Sequence, residues 1–192
     1  LTGWPPPNTF LNDQIGATLM LEVLKPLASL WHTIAFGCGF LFVFQSYLAL
    51  FGHVQYDRRH NRIIRYADRH LWLSGFAIIA IGLLISGPET YLSNPKLWTK
   101  VTLITIWAIS TETMRAYALP RLRLGQRLPM LVTGTISLAC WIYGAFLGVA
   151  HGLAYGKAPL WALMSGFLIV LLGLSALAFK LKATPALSLD NP

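Results

Sequence analysis

The sequence predicts an all-α integral membrane protein, a helical bundle of about five transmembrane helices in one domain covering residues 1–192. Three observations predict it. The chain is 55% apolar and only 11% charged, against about 25% charged in an ordinary soluble domain. Several uncharged runs approach the length of about 20 residues that a helix needs to cross hydrocarbon. Prolines stand at the joints between those runs, where a residue without an N–H does least damage to a helix.

Taken in order, residues 1–28 form an outer-surface segment. "WPPPN" at 4–8 is a stiff extended lead-in, and Thr9 to Leu24 reads as a short helix lying on the surface before Pro26. The five spans run from Leu30 to Gly52, Leu71 to Gly87, Leu97 to Leu119, Met130 to Ala150 and Leu160 to Phe179. Pro88 and Pro95 punctuate the second connection, Pro120 and Pro129 the third, and Pro159 the fourth. Residues 180–192 form a tail. The chain opens at Leu1 without the basic stretch and apolar core of a signal peptide, and no internal repeat is evident.

The net charge of +8 is not spread evenly. Arg58, Arg59, Arg62, Arg65 and Arg69, then Arg115, Arg121, Arg123 and Arg127, fall in or beside two connections on one side, joined by Lys180 and Lys182. The opposite side receives only Lys25, Lys96, Lys100 and Lys157. This asymmetry predicts an outside N-terminus and a cytoplasmic C-terminus in the inner (plasma) membrane. The basic connections face anionic lipid headgroups, so the charge calls for a lipid bilayer as partner and not for nucleic acid. Trp31, Trp98 and Trp161 mark the outer interface; Tyr66, Trp72 and Tyr117 lie near the inner one. Trp107 and Trp141 sit deep in spans and need packing or a hydrogen-bond acceptor. Cys38 and Cys140 both fall within spans and are expected to be buried as small apolar side chains, with no disulfide.

No nucleophile elbow, phosphate loop, zinc pattern or dinucleotide fingerprint is present. Chemistry is left to histidine, one intramembrane carboxylate and a row of glycines. With the topology above, His32 and His151 form an outer pair, His53 and His70 an inner pair, and His60 lies in a basic loop. Two imidazoles at equal depth on neighbouring helices can ligate haem b; histidines at helix ends can equally be interfacial residues in reach of water. Below His32 come Ala35 and Gly39, small residues that could make room for a porphyrin. Gly144, Gly148, Gly152 and Gly156 recur at every fourth residue. Such a bare face admits a second helix, including one of another membrane subunit, or a flat macrocycle. Lys100 can snorkel to the outer interface or pair with a haem propionate. Glu112, inside span three, is either paired structurally with Arg115 or a proton-handling group.

The stretch "IIRYADRHLWLSGFAIIAIGLLISGPETYLSNPKLWTKVTLI", residues 63–104, carries a resemblance. Its "YLSNPKLWTK" resembles the joint between spans two and three in an uncharacterised family of small bacterial polytopic membrane proteins. That family is distantly similar to haem-containing, oxygen-independent protoporphyrinogen oxidases and to copper-resistance D-type membrane proteins. The resemblance covers about residues 28–125 and includes a span-one histidine, matched by His32, and a Trp and Lys opening span three, matched by Trp98 and Lys100. The oxidase branch often carries histidine where this chain has Trp98. The resemblance implies a small helical bundle that holds haem or a metal, and it assigns no reaction.

Three functions follow from these readings. The first is a haem b protein serving membrane redox chemistry, with His32 and His151 as metal ligands and Lys100, His53 and His70 as further cofactor-binding candidates. The second is a non-catalytic structural or assembly subunit of a larger membrane complex, joined through the Gly144/Gly148/Gly152 face. The third is a copper or small-solute permease, for which aligned polar residues are scarce.

Overall fold

The structure, a computed structural model, describes residues 7–52, 58–153 and 157–181. Every regular element among them is helical: α1 (Pro7–Ala49), α2 (Arg58–Ser86), α3 (Pro88–Leu92), α4 (Pro95–Thr113), a π-helical turn (Met114–Ala118), α5 (Leu119–Arg123), α6 (Leu128–Val149), a short 3-10 turn (His151–Leu153) and α7 (Leu160–Lys180). Four of these helices are long and apolar enough to cross a membrane: Leu19–Ala49, Arg62–Ser86, Leu128–Val149 and Leu160–Lys180.

The helix expected to be the third span forms, but it falls outside that set. Lys96, Lys100, Glu112 and a series of threonines lower its apolarity. Thr99, Thr102, Thr105 and Thr113 are tolerated because each returns its hydroxyl to a carbonyl one turn back. Thr99 donates to Pro95 O and Thr102 to Trp98 O, both at 2.9 Å. Nor does this helix stop before Pro120. It continues through the π-turn into α5 and ends at Arg123. Proline lacks an N–H and its ring crowds the carbonyl four residues earlier; a wider π-turn placed just before it accommodates both defects.

Two further boundaries differ from the sequence reading. The surface helix expected over Thr9–Leu24 and the first span are one continuous helix, with Pro26 inside it. A single lost backbone bond does not break a helix whose flanking residues, Leu24, Leu27 and Ala28 among them, favour helix. The second long helix begins at Arg58, not at Leu71, so the arginine-rich stretch expected as a loop, with His60, is helical. Its other end is set by Gly87, whose φ of 75° suits glycine, followed by Pro88 opening α3.

α1 and α2 pack as an antiparallel hairpin, while α4, α6 and α7 form a second group that α1 joins through α6. One cluster of the core joins Leu103 of α4, Tyr143 and Leu147 of α6, and Leu163 and Phe167 of α7. A second joins Tyr47 and Phe51 to Leu138 and Ala178. Between the groups the Trp141 indole lies against Phe36 (ring centroids 4.8 Å) and Trp107 (5.9 Å). Its Nε1 is buried with no acceptor among the described residues, so packing alone holds it. Gly39, expected to clear space for a porphyrin, instead makes room for this ring. Cys140 is buried as expected, but Cys38 is exposed on the outer face of α1.

Candidate functional site

Polar side chains converge on His32 at the contact between α1 and α2. His32 is half-buried against α2, with Cε1 facing Gly75, where a Cβ would stand 3.7 Å away. Its Nδ1 is 3.0 Å from Ser74 Oγ. Ser74 is fully buried, and its hydroxyl donates to the His70 carbonyl at 2.6 Å. A serine hydroxyl has one proton to give. With that proton directed at the backbone, Oγ accepts, and His32 donates through Nδ1–H. His32 is also hydrogen-bonded to the Leu71 backbone, so Ser74 and Leu71 together fix the imidazole on α2; orientation of the ring by such bonds is usual for a metal-bound imidazole.

The neighbouring charge is positive. Lys100 of α4 is half-buried and acts electrostatically on His32. Lys96, one turn earlier, is 7% exposed, and its Nζ donates to the Ala150 carbonyl at 2.7 Å. That carbonyl belongs to the residue capping the C-terminus of α6, where a helix presents unsatisfied oxygens and partial negative charge. Lys96 is therefore accounted for. Lys100 has no carboxylate partner among the described residues.

The other sequence candidates are distributed as follows. His70 is not at the opposite end of the bundle from His32, as the sequence suggested. The antiparallel register of α1 and α2 brings it beside Trp31, whose Nε1 donates to His70 Nδ1 at 3.3 Å, with ring centroids 5.9 Å apart. His53, the other member of the expected inner pair, lies outside the described residues. The backbone of His151 opens the 3-10 turn after α6; its side chain lies outside the described residues, as does Gly156. Along α6, Gly144 packs on Phe36 and Gly148 has nothing within 4 Å of a would-be Cβ; α6 ends at Val149, so Gly152, equally bare, lies in the 3-10 turn and not on the same helix face. Among the described residues no three His, Cys, Asp or Glu side chains converge as a metal-binding group. Glu112 is exposed and pairs with Arg115 at 2.9 Å, the structural alternative considered from the sequence.

Sequence reasoning missed Ser74 and Lys96. Ser74 falls in an apolar run with no motif around it, and only the hairpin register puts it opposite His32. Lys96 was placed with the interfacial cations, yet it closes the end of a helix some fifty residues away in sequence.

The fold and its four long apolar helices define a multi-pass helical membrane protein. No family model, curated protein or solved structure matches the chain.

Proposed function

We propose that this is a small inner-membrane protein that binds haem b and serves membrane redox chemistry, with the N-terminus outside and the basic connections in the cytoplasm. The observation that supports it is the chain of hydrogen bonds from His32 Nδ1 through Ser74 Oγ to the His70 carbonyl. It fixes the His32 imidazole on α2, within electrostatic reach of a lysine without a carboxylate partner among the described residues. His32 and His151 would hold the haem iron, and Lys100 would be the cation for a propionate. Haem would supply a one-electron couple when bound, and Ser74 would orient the His32 imidazole toward it. An absorption spectrum of the protein purified from its native membrane, oxidised and then reduced, tests this reading. A sharp α-band in the reduced state, lost or altered in His32→Ala and in His151→Ala, is the expected result. A colourless, fully folded protein would sink it.

A second reading is a non-catalytic subunit of a larger membrane complex. The observation favouring it is that Gly148 near the end of α6 and Gly152 in the 3-10 turn after it are both bare, with no described part of the chain filling the space. In lipid such bare positions let a second helix approach closely.

A further inference from the structure

A different face of α2 lines a groove in which charged side chains from two helices gather. α2 packs on α1 and stands away from α4, and the groove left between them has a volume of about 290 Å³. Arg65, Asp68 and Arg69 line it from α2, Arg115 from the π-turn, and Trp72 and Trp107 form its wall, their ring centroids 6.5 Å apart. Glu112, also in the groove, takes one arm of Arg115, which leaves that guanidinium further N–H donors. Arg69 is exposed at the rim. Asp68 Oδ1 has the opposite need: it is shielded from solvent and receives no hydrogen bond, a condition that buried carboxylate oxygens seldom tolerate.

The groove thus asks for two things in one ligand. Guanidinium groups match phosphate oxygens in geometry and charge, and the Asp68 oxygen requires an O–H or N–H donor close by. The surroundings add a third condition. One turn from the tryptophans, in the direction away from the basic end, Phe76 of α2 and Ile104 of α4 are exposed and apolar. An amphiphile with its headgroup among the arginines would lay its chains along that strip. Basic pockets between membrane helices are suited to anionic headgroups.

We propose that the α2/α4 groove is a headgroup site for an anionic phospholipid of the phosphatidylglycerol type, its phosphodiester held by Arg69 and Arg115 and a headgroup hydroxyl donating to Asp68. This site is separate from the His32 cluster and does not depend on haem. Free phosphate shares part of its chemistry, so the test must separate the two.

The full chain in detergent is titrated with phosphatidylglycerol, phosphatidylcholine or inorganic phosphate, and binding is read by native mass spectrometry. One phosphatidylglycerol is expected to bind at least about tenfold more tightly than phosphatidylcholine, with millimolar phosphate unable to displace it. Arg69→Gln is expected to lower that affinity about tenfold, the lower end of what a hydrogen bond to a charged group supplies. Arg69→Lys, which keeps the charge without the fork, is expected to fall between the two and stands in if Arg69→Gln fails to fold. Arg123→Gln, on the same basic side but outside the groove, is expected to leave the affinity unchanged. Equal affinity for the two lipids, displacement by inorganic phosphate, or an equal loss in Arg123→Gln would each overturn the proposal.

Discussion

Gly39 and Trp141 fit as hollow and ring: a Cβ on Gly39 would lie 2.6 Å from the far edge of the Trp141 indole and 3.3 Å from the Ala67 methyl. The contact joins α1, α2 and α6 at one point, and the indole is already confined by Phe36 and Trp107. Gly39→Ala is therefore expected to destabilise the bundle by about 1–3 kcal/mol, the usual range for overpacking, with reversible unfolding in mixed micelles as the measurement. An unchanged unfolding midpoint would show that the ring moves aside freely.

Tyr143 and Gly166 allow a coupled test. The Tyr143 hydroxyl donates to the Leu163 carbonyl at 2.5 Å and lies 2.6 Å from where a Cβ on Gly166 would stand. Tyr143→Phe should cost about 1 kcal/mol for the lost bond. Gly166→Ala should cost less in the Tyr143→Phe background than in the native chain, because the colliding oxygen is gone. Additive effects would rule out the contact.

Lys96 caps α6 through the Ala150 carbonyl. Lys96→Leu leaves that oxygen without its charged donor and should reduce stability by about 1.5–3 kcal/mol, as for other hydrogen bonds to charged groups. The same substitution at Lys157, an exposed position on the same expected side, should have little effect. Comparing the two by thermal unfolding in detergent separates the cap from general charge.

The inside–outside assignment can be read by cysteine labelling. Leu92, which ends α3 just before α4, and Leu124, which follows α5, are exposed and flank the α4–α5 helix at opposite ends. In a background lacking Cys38 and Cys140, Leu92→Cys should react with an impermeant thiol reagent in intact cells and Leu124→Cys should not. The reverse pattern would invert the topology.

Gly148 bears on whether α6 meets another chain. Nothing lies within 4 Å of its would-be Cβ, so Gly148→Leu should leave the isolated chain's unfolding nearly unchanged. Loss of co-purifying subunits, seen by size-exclusion chromatography from native membranes, is the expected sign of the subunit reading.

The class of this protein was legible in its sequence because hydrophobicity is a local, additive property. Runs such as Leu160–Phe179 announce a membrane helix without reference to anything else in the chain, and Pro88, Pro95 and Pro159 mark helix ends for reasons internal to proline. Tertiary packing decided what local rules could not. Pro26 lies within a helix and Pro120 beyond a π-turn, because neighbouring structure absorbs a defect that local rules treat as a boundary. His32, His70 and Trp31 share a level only because α1 and α2 pair in one antiparallel register, and register is a relation between segments that neither segment's composition contains. The same holds for Gly39, whose missing side chain is explained by a tryptophan about a hundred residues away. It holds for Asp68, whose oxygen is shielded only once the fold places it in a groove shared with residues of α4 and the π-turn.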